Sequence, residues 1–168
     1  MTFLRFVAPV FLCSLSLAAA GCSRASVEHT EASVDALAQA VLEAIERRDM
    51  DRLEALALNE AEFLEVVWPE LPAARPERNL PADFVWNDLR MKSNYSLGQT
   101  LNRYAAMSPL TLVDVRFDRE TTPYDTYLVH REAVLIVKGR DGIEQELRLF
   151  GSVFEQDGRY KVFSYSVD

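Results

Sequence analysis

Hydrophobic positions in residues 33–68 recur with a helical period. Val34, Leu37, Ala38, Val41 and Ile45 fall at i, i+3, i+4, i+7 and i+11, one apolar face, while Asp35, Gln39, Glu43 and Glu46 take the other. Ser33 is placed to cap this helix, which the pattern carries to about Arg48. Asp49 caps a shorter second helix with Leu53, Leu56 and Ala57 inward. Asn59, with Glu62 three residues on, has the spacing of a capping box ahead of Phe63, Leu64, Val67 and Trp68. Pro69 is expected to end that helix. Four prolines between Pro69 and Pro81 predict an ordered or extended loop, neither a helix nor a central strand. Pro81 suits the first position of a further helix, with Asp83 in its first turn. That helix is expected to reach Ala105 or Ala106, weakened near Ser93, Asn94 and Gly98.

From Leu110 the period becomes two. Val113, Val115 and Phe117 alternate with Asp114, Arg116 and Asp118. A second strand covers about Tyr124 to Lys138, and Asp141-Gly142 turns the chain into a third. Ile143, Leu147, Leu149 and Val153 line one face of that third strand, and Asp157-Gly158 leads into a fourth, Arg159 to Val167. Helices followed by a four-stranded antiparallel meander predict an α+β domain with its helices on one face of the sheet.

The N-terminal pattern differs. One cation, Arg5, precedes an apolar run from Phe6 to about Leu17, then Ala18-Ala19-Ala20-Gly21. A short basic start, a short apolar middle and small residues describe a secretory signal peptide. The run falls short of the ~20 residues of a membrane-spanning helix, and Pro9 interrupts it. Ala19-Ala20-Gly21-Cys22 resembles the lipobox of bacterial lipoproteins, with Ala19 where that family usually has Leu. The resemblance implies cleavage before Cys22 and lipidation of its thiol, which anchors the chain to a membrane through acyl groups. Ser23 rather than Asp follows, which in Gram-negative lipoproteins favours the outer membrane, facing the periplasm. The expected organisation is a signal peptide over residues 1–21, a lipidated cysteine and flexible tether over 22–32, and one domain over 33–168. An extended tether would reach roughly 30 Å at ~3.4 Å per residue.

Composition narrows the chemistry. Residues 22–168 are enough for one domain with its own core. A net charge of −8, with no basic run, excludes nucleic acid as a natural partner. With Cys13 in the signal and Cys22 lipidated, the domain keeps no thiol for a disulfide or thiolate metal site. His29 and His130 alone do not make a zinc cluster. Neither a phosphate-binding glycine loop nor a dinucleotide fingerprint is present, and no cofactor is implied.

Glu43-Ala-Ile-Glu-Arg-Arg-Asp-Met-Asp-Arg-Leu-Glu-Ala-Leu, with the closing Tyr-Lys-Val-Phe-Ser-Tyr strand, resembles nuclear transport factor 2-like domains. There an amphipathic helix ends in a short acidic turn before a second helix; Arg48 stands where that family usually has glycine. The resemblance spans most of residues 33–168 and implies a curved sheet wrapped round helices, with a pocket at the open end. That fold carries isomerases and cyclases as well as non-catalytic binding domains, so it does not fix the chemistry.

Trp68 and Trp86 bracket the proline loop, with Tyr95 and Tyr104 on the next helix. They are candidates for an aromatic-lined pocket or partner patch, or for pinning the loop to the core. Arg131, with Arg75 and Arg78, is a candidate for reading an anion; the latter two are also placed to pair with Glu70 and Glu77. His130 shares its strand face with Leu128, Glu132, Val134 and Ile136, which directs it away from a core formed by Tyr127, Val129, Arg131, Ala133, Leu135 and Val137. Isomerase chemistry needs a carboxylate in an apolar pocket. Asp83, Asp88 and Asp114 are the carboxylates to weigh, and none sits in a matching motif. Three readings follow. One is an envelope domain that binds a small apolar ligand or an envelope protein without catalysis. The second is a small-molecule isomerase or cyclase. The third is a scaffold dimerising through the face of Leu128, Val134 and Ile136.

Overall fold

The structure, a computed structural model, describes residues 26–166. The expected signal peptide, Cys22 and the first part of the tether lie outside the described residues.

Helix α1 (Val34–Arg47) starts where Ser33 accepts the Ala36 N–H at 3.0 Å, and it buries Leu37, Ala38, Val41 and Ile45 as the spacing predicts. It ends at Arg48, whose φ of 54° is the left-handed cap conformation that glycine adopts most easily. Asp49 caps α2 (Met50–Leu56), burying Leu53 and Leu56. Asn59 and Glu62 close the expected capping box on α3 (Glu60–Glu62). The chain winds on through a π turn (Phe63–Val67) and then, past the expected stop at Pro69, a 3-10 turn (Trp68–Glu70). Two more 3-10 turns, Pro72–Ala74 and Pro76–Arg78, make up the proline loop; proline fits their first positions because no N–H is needed there. Helix α4 (Ala82–Tyr104) follows, with Pro81 just outside it.

Seven strands replace the expected four: β1 (Thr111–Phe117), β2 (Thr122–Pro123), β3 (Leu128–Arg131), β4 (Ala133–Lys138), β5 (Glu144–Leu147), β6 (Phe150–Gln156) and β7 (Arg159–Tyr165). They form two antiparallel sheets, ordered β1-β4-β5 and β2-β3-β6-β7. The expected second strand is broken at Glu132, whose φ is 54° and whose N–H goes to the Gly151 carbonyl at 2.6 Å. An extra residue in a strand shifts the two-residue alternation by one. Before Glu132, His130 lies opposite Val153, which packs in the main core; after it, Ala133, Leu135 and Val137 face that core. The expected single face of Leu128, Val134 and Ile136 therefore does not form. Val134 is fully buried, and Leu128 and Ile136 are half-buried. His130 does not point away from the core; it stands at the core's margin.

Two apolar clusters result. The larger joins α1, α2 and the C-terminal half of α4 to β4, Val153 and Val162. The smaller joins Phe63, Val66, Val67 and Trp86 to Val129 and Phe154, on the other face of the same sheet. Residues 26–32, expected as tether, are held on the domain. Val27 packs against the smaller cluster. The Glu28 N–H donates to Glu62 at 2.8 Å. Glu31 and Tyr160 exchange both backbone hydrogen bonds at 2.9 Å, and Arg159 donates to the Thr30 carbonyl at 2.7 Å.

Candidate functional site

Helix α4 crosses β7 where the two clusters meet, and the crossing leaves a cleft of ≈ 120 Å³. Trp86, Leu89 and Leu97 from α4 and Phe163 from β7 supply its apolar lining, with Ala57 and Leu58 from the segment after α2. Trp86 is 4% exposed because its ring packs on Phe63, with centroids 5.3 Å apart. Ser93 fixes the crossing: its Oγ accepts the Tyr165 N–H at 3.0 Å. The rim is polar, with Glu54, Asn59, Arg90 and Asn94 all exposed. Arg90 has no ion-pair partner among the described residues.

The ionisable group deepest in this wall is Tyr165. Burial pushes its hydroxyl well above the usual tyrosine range, and the neutral phenol donates to the Leu53 carbonyl at 2.7 Å. It holds α2 to β7.

The aromatic set proposed from sequence does not converge. Trp68 and Trp86 both lean on Phe63, at 6.1 and 5.3 Å, so they pin the proline loop to the smaller cluster. Tyr104 is buried in the main core. Tyr95 is 70% exposed on the opposite side of α4. Arg131 is exposed beside Asp118–Pro123, remote in the fold from the cleft. Asp88 pairs with Lys92 at 2.6 Å, and Asp83 and Asp114 are exposed. Glu70 is taken by Thr126, accepting its N–H at 3.1 Å as well as its hydroxyl, rather than by Arg75.

Two polar constellations escaped the sequence reading. His130 sits between Thr121, whose Oγ1 lies 2.9 Å from Nδ1, and Glu155, whose Oε2 lies 2.5 Å from Nε2. A carboxylate only accepts, so Nε2 carries a proton and donates to Glu155. Tyr160 hydrogen-bonds the same Glu155; burial, then that charge, pushes its hydroxyl pKa up. The Phe117 ring stacks on His130 at 5.0 Å. This chain faces the main cluster, whereas the cleft's Phe163 belongs to the smaller one. The second constellation is Lys161 with Glu62, at 1% and 6% exposure, where Nζ donates to both carboxylate oxygens at 2.7 Å. A lysine between Tyr160 and Val162 in an apolar strand was the available signal.

Among the described residues, no three His, Cys, Asp or Glu side chains cluster to hold a metal ion, and no helix is long and apolar enough to cross a membrane. No family model, curated protein or solved structure matches the chain.

Proposed function

We propose that the chain is a lipid-anchored cell-envelope domain of the nuclear transport factor 2-like kind that binds a partner rather than transforming a substrate. The cleft between α4 and β7 carries this reading. Its ≈ 120 Å³ is small against roughly 300–1,000 Å³ for pockets that enclose whole small molecules. It suits one apolar side chain or a small apolar ligand, with Arg90 at the rim to meet an acidic group beside it. An isomerase would place a carboxylate base inside the apolar cavity, and Glu54 stands at the exposed rim instead.

The family assignment is supported by Arg48. The position that carries glycine in the family is left-handed here too. Helices held against sheets that bend at Glu132 fit the same architecture. The anchor rests on Ala19-Ala20-Gly21-Cys22. With residues 26–32 held on the domain, only Ser23–Ala25 separate Cys22 from it, a span of roughly 14 Å when extended. An acylated Cys22 would thus keep the domain close to the bilayer, and Ser23 directs it to the outer membrane.

Native mass spectrometry of the full chain, extracted in mild detergent from a bacterial envelope, tests both parts. The expected spectrum carries the acyl mass, absent from Cys22→Ala, and a further discrete mass lost on denaturation. Ala57→Leu fills the cleft and should remove that further mass while the acyl mass stays. A bound mass that persists in Ala57→Leu, or no bound species at all, refutes the cleft as the binding site.

A further inference from the structure

Helix α4 turns an apolar stripe to solvent. Phe84, Met91 and Tyr95 are 64%, 65% and 70% exposed, and Leu80, just ahead of the helix, is 43% exposed. At 100° per residue, Phe84 and Tyr95 lie within about 40° of Met91 on the helix surface. Gly98 lies on the same line, and a side chain there would meet nothing within 4 Å. The stripe is thus a row of knobs followed by an open hole.

The spacing makes this row complementary to itself. Phe84 is seven residues before Met91 and Gly98 seven after, each about 10.5 Å along the axis and about 20° round from it. When a second α4 lies antiparallel with Met91 facing Met91 across a two-fold axis, each Phe84 stands level with the partner helix's glycine. The missing side chain admits the ring and lets the axes approach to about 8 Å. The charges agree with the same register. Asp88 and Lys92 lie on one flank of the stripe, and the two-fold places each beside the oppositely charged residue of the other copy.

We propose that α4 is a self-association surface and that its partner is a second copy of this chain, packed antiparallel about Met91. The stripe is about 30 Å long and about 10 Å wide, so two copies bury roughly 600 Å² between them. That is well below the ~1,200–2,000 Å² of standard specific interfaces, so the dimer is weak and reversible. Confinement of both copies to one surface would raise its occupancy. The surface is centred opposite Trp86 on α4, and the inference does not rest on the binding reading.

Disulfide trapping of the full chain in detergent tests it. Oxidised Met91→Cys should give a covalent dimer at least fivefold above both the unsubstituted chain and Ile143→Cys, an equally exposed position elsewhere. Phe84→Cys should stay at background, because the antiparallel order sets the two substituted positions about 21 Å apart. Gly98→Leu, added to Met91→Cys, should cut the dimer at least fivefold. A Cβ there meets no atom within 4 Å and leucine favours helix over glycine, so the fold is expected to be kept. Three results overturn the proposal: Met91→Cys no better than Ile143→Cys, a Phe84→Cys dimer, or a yield insensitive to Gly98→Leu.

Discussion

Replacing Lys161 by methionine separates the two halves of the buried ion pair. In the native chain the ammonium is 1% exposed and gives hydrogen bonds to both Glu62 oxygens at 2.7 Å. The same carboxylate accepts the Asn59 N–H at 2.9 Å and the Glu28 N–H at 2.8 Å. Methionine fills nearly the same volume, so little of its effect is a cavity. What it leaves is a carboxylate, 6% exposed, with two backbone donors and no countercharge. Stranding one partner of such a pair costs about 3–5 kcal/mol. With a urea slope near 2 kcal/mol per M, the unfolding midpoint should fall by roughly 1.5–2.5 M. The double variant Lys161→Met/Glu62→Gln removes the stranded charge, and its one amide oxygen keeps one of the two backbone donors, which bond different carboxylate oxygens in the native chain. It should recover at least half of the loss, because neutral replacement of a buried pair is often close to neutral in stability. Urea unfolding followed by tryptophan fluorescence reads all four corners of the cycle. A single-variant loss under ~1 kcal/mol, or a double variant no more stable than Lys161→Met, would show that the pair is not desolvated as argued.

Other expectations follow from single positions. Arg48→Gly removes a side chain from a left-handed backbone and should raise stability by about 1 kcal/mol in the same urea assay. Tyr127 and Tyr165 are both raised by burial, so above pH ~10 the unfolded state loses protons that the folded state keeps. Stability should be level below pH ~10 and fall above it, by about 1.4 kcal/mol per unit for each phenol; Tyr165→Phe should flatten that fall, at a cost near 1 kcal/mol for the hydrogen bond to Leu53. Asn59→Ala opens the capping box and should lower stability by about 1 kcal/mol. Nitrogen NMR of His130 should show a proton held on Nε2, and Glu155→Gln should weaken that preference.

The sequence made α1 legible because its spacing and Ser33 point the same way. The capping box and the turns at Asp141-Gly142 and Asp157-Gly158 were legible for similar local reasons. Glu132 was not. A glutamate at positive φ has no local signature, and it puts His130 on the main-core side of β3 while Ala133, Leu135 and Val137 of β4 face that core as expected. The cleft needs α4 and β7 together, joined by Ser93 and Tyr165 across 72 residues, so nothing local to Arg90 or Asn94 marks them as its rim. One error was avoidable. Trp86 and Tyr95 are nine residues apart, which is 180° on a helix, so they could never have lined one pocket.

The segment of residues 26–32 does more than shorten the chain between Cys22 and the domain. In the sheet ordered β2-β3-β6-β7, the outermost strands are β2 and β7. An uncovered outermost strand presents unpaired N–H and C=O groups, a template on which other chains can add strands and aggregate. Strand β2 is only two residues long and ends in Pro123, which has no N–H to give. Strand β7 is long and apolar, and it is covered from within the chain: Glu31 takes both backbone groups of Tyr160, and the Leu58 N–H takes the Val162 carbonyl at 2.9 Å. The N-terminal residues thus act as a guard on the flank most exposed to misassembly. A boundary drawn at residue 33 would discard that guard and leave Tyr160 open to a foreign strand.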